Sequence, residues 1–291
     1  MTRDCFGAPA PTAPRFVVPR GACDCHLHVL GPYDRYPLAA ERGYTAPLAT
    51  TADLEAFLDR MGLDRVVIAH VSAHGADHRV TLDAMAALGD RARGTMMLAD
   101  ERFAALEALH RRGMRGVRLS GNFGLPVSID VLRATADRIG PLGWHVAIWP
   151  ADLAELDAIA AALPDLGVPV VIDHLGARAW DNGAGGLDHP GFRLLRELLA
   201  SGRVWLKLSA PYRAAPEADH PWPTLVPFAR ALAVAAPERM LWASDWPHVG
   251  LFDRPPPLSG HLLDWLADVA PDAAARDRIL VDNPAALYGF P

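Results

Sequence analysis

Eight short apolar runs, each followed by a stretch with helical spacing, constrain this chain more than any other feature. The runs are Gly21–His28, Arg65–Val71, Gly94–Leu98, Gly116–Leu119, His145–Trp149, Pro169–Asp173, Val204–Ser209 and Met240–Ser244. Between them apolar residues recur three and four apart, as in Leu54, Phe57, Leu58 and Met61, or Leu153, Leu156, Ile159, Ala160 and Leu163. Helical patterns also cover Thr81–Leu88, Phe103–Arg112, Ile129–Leu142, Gly191–Ser201, Pro223–Ala236, Gly260–Ala270 and Ala273–Leu280. Asn283-Pro284 reads as a helix cap followed by proline at the first helical position. The alternation predicts a (β/α)8 TIM barrel, and 291 residues suffice for one, since such barrels take about 250. An open doubly wound sheet is the alternative. It would gather its ligand at one switch point, usually beside a Gly-rich phosphate loop, and no such loop follows any run. Residues 20–291 therefore read as one barrel domain, and residues 1–19 as a flexible leader.

Composition excludes several classes. Formal net charge is −6 with no Lys/Arg clustering, so no nucleic-acid footprint is present. No run approaches the ~18 apolar residues of a membrane span. The first residues have no apolar core of a signal peptide. Cys5, Cys23 and Cys25 are an odd and small set, which suits a reducing cytoplasm better than a disulfide framework.

Chemistry in such a barrel sits where strands end. There the sequence places His26 and His28, Arg118, Trp149, His174, Lys207 and Ser209, and Asp245. Strand alternation points His26 and His28 the same way, about 6–7 Å apart, and turns Cys23 and Cys25 to the opposite face as core packing. Three histidines and an aspartate can hold zinc or a similar ion. They can equally act without metal, the imidazoles polarising a carbonyl while the carboxylate takes a proton from water. His70, His74 and His78 are spaced by four, but Gly75 interrupts the helix that a zinc pair would need, so His74 is expected to order its loop or touch substrate. His248 is expected beside Asp245. Lys207 has no assigned role. Val29–Thr50 and Asp253–Pro257 are candidate rim loops.

His-x-His on the first strand, a later histidine and an aspartate on the eighth resemble the amidohydrolase superfamily. Members with two metals carry a lysine on strand four and histidines on strands five and six. Here those strands end in Val117-Arg118-Leu119-Ser120 and Ile148-Trp149-Pro150, so one metal or none is expected. Further motifs resemble the 2-pyrone-4,6-dicarboxylate hydrolase (lactonase) branch. They include Tyr44-Thr45-Ala46-Pro47, His74-Gly75-Ala76-Asp77, Gly143-Trp144-His145-Val146, Asp173-His174-Leu175-Gly176 and Ser244-Asp245-Trp246-Pro247-His248.

The resemblance implies hydrolysis of a small anionic lactone. His26, His28 and His174 would polarise the carbonyl, with Asp245 as general base. Tyr44, Ser72, His74, Arg118, Trp149, Arg213 and His248 would bind substrate. No cofactor is required, or one divalent zinc ion held by His26, His28, His174 and Asp245. A second arginine that such proteins carry six residues after Arg118 is replaced by Gly124. That change favours a substrate with one anionic group near Arg118 or Arg213 and a flat contact on Trp149 and Phe123. A lactone isomerase or a metal-dependent decarboxylase on the same scaffold is the alternative. The expected partner is the small molecule alone, with neither nucleic acid nor membrane, and the protein is expected to be a monomer or homodimer.

Overall fold

All eight predicted runs form strands, and they pair in parallel in chain order. A computed structural model of the chain describes residues 2–97, 105–119, 127–215, 217 and 220–291. The strands are β1 (Cys23–Leu27), β2 (Arg65–Ala69), β3 (Ala92–Met97), β4 (Met114–Leu119), β5 (His145–Ile148), β6 (Val170–Ile172), β7 (Val204–Ser209) and β8 (Met240–Ala243). Helices α1 (Thr51–Met61), α2 (Arg79–Leu88), α3 (Leu106–Arg111), α4 (Ile129–Ile139), α5 (Leu153–Ala162), α6 (Pro190–Ala200) and α7 (Val226–Ala235) fill the connections. After β8 come α8 (Ser259–Val269), α9 (Ala273–Asp277) and α10 (Asn283–Tyr288). This is a TIM barrel. Among the described residues no helix is long and apolar enough to cross a membrane.

Local signals set the helices. α1 opens with a capping box, in which Thr50 and Asp53 satisfy each other's backbone N–H, and closes on Gly62 in the left-handed region at φ 71°. Alternation along the strands sorts the core into two layers. Ile68, Val117, Ile148, Ile172, Leu206 and Trp242 pack outward against the helices. Cys23, Cys25, Val67, Ala147, Val171, Trp205, Leu241 and Ala243 fill the barrel, and Tyr288 and Phe290 close the end where the strands begin.

The first and last strands meet at a seam made of loop backbone. Asp245 N donates to His26 O at 2.9 Å and His28 N to Trp246 O at 2.8 Å. The buried Asp24 clamps the same seam, its Oδ1 accepting from His26 N at 3.0 Å and Ser244 N at 3.1 Å. Burial pushes this carboxyl up to about 7 even against those two bonds.

Four expectations change. Register between β1 and β2 shifts between Asp24 and Leu27, so one extra residue enters β1 and simple alternation fails there. Cys25 joins the inner cluster while His26 also faces inward, toward Lys207. The cysteines thus share the histidines' side. The leader is tied down: Arg3–Asp4 pairs with Tyr44–Thr45, and Phe6 N donates to Leu251 O. Arg15 N reaches Asp264 Oδ1, and Thr12 Oγ1 accepts from Gly260 N. Asn283 is no cap: helical backbone runs through it from a π-turn, and its amide donates to Pro237 O and Met240 O at the start of β8. Finally, Trp149, Asp173 and Ser244 fall just beyond their strands, where the ladder stops and the loops begin. Leu98, Phe103, Ser120, Phe123 and Gly124 lie outside the described residues.

The seam yields a stability test. Replacing Asp24 by alanine strands two buried N–H groups and is expected to cost about 2–4 kcal/mol in urea unfolding. Asp24→Asn keeps the accepting oxygen and is expected to lose under about 1 kcal/mol.

Candidate active site

Two of the three histidines and the aspartate line a cavity of about 540 Å³ at the strand C-terminal ends. Asp245 and His174 both have left-handed backbone, at φ 62° and 54°. A side-chain-bearing residue adopts that conformation at a cost of order 1–3 kcal/mol. The sharp turns after β6 and β8 drive both side chains into the mouth.

The Asp245 carboxylate is divided. Its Oδ2 accepts from Tyr212 OH at 2.7 Å and from Arg213 Nε and Nη2 at 2.8 and 2.7 Å. Its Oδ1 stands amid three imidazoles, 3.5 Å from His28 Nε2 and 3.9 Å from both His26 Nε2 and His174 Nε2. Burial works to raise the carboxyl, but Arg213, His174 and the other imidazoles together hold it well below the usual carboxylate range. The carboxylate is therefore ionised at neutral pH and fixed in direction.

The imidazoles have different neighbours, and these set their roles. His28 Nδ1 donates to Ala69 O at 2.7 Å; a carbonyl only accepts, so the neutral ring offers a lone pair at Nε2. His26 Nδ1 lies 3.2 Å from Lys207 Nζ and 3.5 Å from Asp173 Oδ1. An ammonium only donates, so facing Lys207 the His26 proton resides on Nε2, aimed at the cavity side. Lys207 and Asp173 form a buried ion pair at 2.9 Å. Burial pushes the Asp173 carboxyl up, yet Lys207 and His26 outweigh it and hold it well down. His174 Nδ1 is bonded to Ser209 Oγ at 3.0 Å, and burial lowers its ring to about 4. Burial likewise leaves His26 well below its ordinary value, so both rings are neutral at neutral pH.

The same donors fit one divalent ion. Ligand atoms of His26, His174 and Asp245 lie within 4.8 Å of one another, and His26 Nε2 is buried without a partner among the described residues. Placing the His26 Nδ1 proton toward Asp173 would free Nε2 as a ligand, and His28 Nε2 is already an acceptor. The set suits zinc.

Other predicted residues are divided by the structure. Tyr44, Ser72, Arg118 and Trp149 line the cavity; Tyr44 OH lies 3.4 Å from Ser72 Oγ, and Arg118 Nη1 donates to His70 O at 3.0 Å. Arg213 lines it too, but its guanidinium is committed to Asp245. His74 and His248 are not in the lining. His74 Nδ1 donates to Pro37 O at 3.1 Å, tying down the rim loop. His248 is buried behind Tyr212, its Nδ1 3.1 Å from the phenolic oxygen that also holds Asp245. His70 is bonded to Thr81 and Gly75, and His78 to Ala76 and Met97, so the spaced histidines order a loop. Sequence reasoning missed Tyr212, Asp173 and Arg178. The first two adjoin residues it did select, and Arg178 follows His174 by one helical spacing.

Known proteins agree with this architecture. A family model described as Amidohydrolase matches residues 23–290. The 4-sulfomuconolactone hydrolase of Rhizobium radiobacter is 37% identical, covering 98% of this chain and 96% of its own. The 2-pyrone-4,6-dicarboxylate hydrolase of Comamonas testosteroni is 38% identical, with 96% and 93% covered. A solved structure from Pseudomonas putida, provisionally named 2-pyrone-4,6-dicarboxylic acid hydrolase, superposes with a TM-score of 0.77 at 32% identity. It covers 94% of this chain and 99% of that one.

The divided carboxylate can be tested directly. In Arg213→Gln the main opposing cation is gone and burial raises the Asp245 carboxyl. Carbon-13 NMR of labelled aspartate should then show one buried carboxyl titrating at least about one pH unit higher than in the unaltered protein.

Proposed function

The chain belongs to the amidohydrolase family, and from that premise we propose that it hydrolyses a small anionic lactone at the barrel mouth. The observation that carries this reading is the Asp245 carboxylate, pinned through one oxygen and open through the other toward three imidazoles. That is the arrangement needed to take a proton from water beside an activated carbonyl.

Each side chain then has a role. Asp245 Oδ1 takes one proton of the attacking water, and His28 Nε2 accepts a hydrogen bond from the other. The water oxygen adds to the ring carbonyl carbon. The developing oxyanion is met by His26 Nε2–H and His174, which stabilise charge only as it forms. Collapse breaks the ring C–O bond, and Asp245 returns its proton to the departing oxygen. The product is an open-chain carboxylic acid, which releases its proton to water and leaves as the carboxylate. Tyr44, Ser72 and Arg118 hold the substrate's polar groups, and the Trp149 ring supports its face. Arg213, and His248 through Tyr212, orient the base; His74 orders the rim. A divalent ion held by His26, His28, His174 and Asp245 would add Lewis-acid polarisation of the same carbonyl.

Mass spectrometry of products from a lactone panel, with and without chelator, tests the reading. The product should weigh one water more than the lactone. A product of unchanged mass would mark an isomerase, and loss of carbon dioxide a decarboxylase. Asp245→Asn keeps the shape and removes the base, so turnover should fall by ~10²–10⁴-fold. The rate should also stay level on acidification until His174 protonates near its depressed value of about 4. Below that, a charged His174 pairs with Asp245 Oδ1 and withdraws the base from water. A fall already complete by about pH 6 would point to another base.

A further inference from the structure

The opposite end of the barrel, where the strands begin, has a cavity of its own. It measures about 280 Å³ and lies between α2, the end of α3 and the first residues of β3 and β4. Four arginines line it, Arg93, Arg111, Arg112 and Arg115, against one acidic residue, Asp90. That local excess of positive charge runs against a chain whose formal net charge is −6.

Two of the four are held inward. Arg93 is only 9% exposed, and its Nε is buried with no hydrogen-bond partner among the described residues. Its Nη1 and Nη2 donate to the carbonyls of Asp90, Ala92 and Gly289 at 2.9–3.2 Å. Arg115 is half-buried, and its Nη1 donates to His110 O at 2.9 Å and Met114 O at 2.8 Å. Carbonyls accept these bonds but bring no net charge, and neither guanidinium forms an ion pair among the described residues. The exposed Arg111 and Arg112 have loose partners, Glu107 at 3.9 Å and Asp83 at 3.8 Å. Burial lowers both Arg93 and Arg115, and the charge of Arg93 lowers Arg115 further. Arginine nevertheless stays cationic, so two poorly compensated charges stand side by side.

The backbone builds this cluster. Register between β3 and β4 shifts, with Gly94 facing Met114 but Thr95 facing Gly116, so Arg115 is an extra residue in β4. Such a bulge re-aims a side chain, and here the re-aimed side chain joins the cavity wall. Gly113 turns the chain just before it at φ 95°, where a Cβ would stand 3.0 Å from Met85 Cε.

We propose that this cavity binds a phosphate-class oxyanion, apart from the reaction at the barrel mouth, with Arg93 and Arg115 at its base and Arg111 and Arg112 at its rim. Guanidinium groups take phosphate oxygens through paired N–H bonds. A phosphate monoester brings about two negative charges and three accepting oxygens, which suits a cluster that outnumbers its own acids. A lone carboxylate brings one charge. The cavity stands near the lower end of small-molecule sites, roughly 300–1,000 Å³, so a small group bonded to the phosphate fits as well.

Calorimetric titration of the whole chain with inorganic phosphate, glycerol 3-phosphate and acetate, at about 0.15 M salt, tests the proposal. At least one phosphate ligand should bind with a Kd of about 1 mM or tighter, and acetate at least about 10-fold more weakly. Tighter binding of the ester assigns the site to a phosphorylated metabolite, and binding of the free ion as tight or tighter assigns it to phosphate itself; either supports the site. Arg115→Gln should weaken the phosphate ligand about 10- to 100-fold, and Arg115→Lys should recover part of the loss. Arg118→Gln, at the mouth, should leave it unchanged. If Arg115→Gln does not fold, the double variant Arg111→Gln/Arg112→Gln, altered only at exposed positions, should show the same loss. Phosphate binding weaker than about 1 mM, acetate binding as tight as phosphate, or a loss that follows Arg118 and not Arg115 overturns the proposal.

Discussion

The site depends on one carboxylate whose two oxygens have been given different duties. Tyr212 and Arg213 take Oδ2 at hydrogen-bond distance, and only Oδ1 is left to the imidazoles. An isolated buried carboxylate would be driven toward its neutral form. Here the neighbouring cation reverses that tendency, so the carboxylate is charged while enclosed. Its low proton affinity makes it a weak base in equilibrium terms. Its direction is fixed as well: with Oδ2 held by Tyr212 and Arg213, the free oxygen cannot rotate away.

Beneath this carboxylate lies a second layer of buried charge. Lys207 and Asp173 neutralise each other inside the barrel, and His26 bridges them to the mouth. Removing one member of such a pair leaves an uncompensated buried ion. The pair also acts locally, since an ammonium donor and a carboxylate acceptor both face His26 Nδ1 and between them decide which ring nitrogen carries the proton. Whether His26 presents a donor to a carbonyl or a lone pair to an ion is settled one layer below the substrate.

Much of this was legible from residue order. The apolar runs gave all eight strands because each is enclosed by helices outside and by other strands' side chains inside. Their ends gave His26, His28, His174 and Asp245, because side chains at strand ends must face the mouth. Other features were hidden for physical reasons. The bulge in β1 is a backbone event with no residue signature, so Cys25 and His26 came out on opposite faces. Tyr212 and Arg213 sit beyond β7, in a turn whose direction no periodicity encodes, and nothing in the order of residues says that Arg213 meets Asp245. Lys207 could have been placed: Trp205, Lys207 and Ser209 share one face, and an inward lysine needs a carboxylate that Asp173 is positioned to supply. The leader's anchoring depends on partners more than 200 residues away, as in the Arg15–Asp264 bond, which local composition does not reveal.

The seam closed by Asp24 has a consequence for how the protein comes into being. His26 emerges near the start of synthesis and Asp245 near its end, yet they lie across one backbone hydrogen bond. Joining them closes a loop of more than 200 residues, a slow event because distant contacts reward the ordering they require only at the last moment. The cluster of imidazoles around Asp245 is therefore assembled in the same act that completes the cylinder. A ribosome-bound fragment lacking β8 possesses three imidazoles and no chemistry.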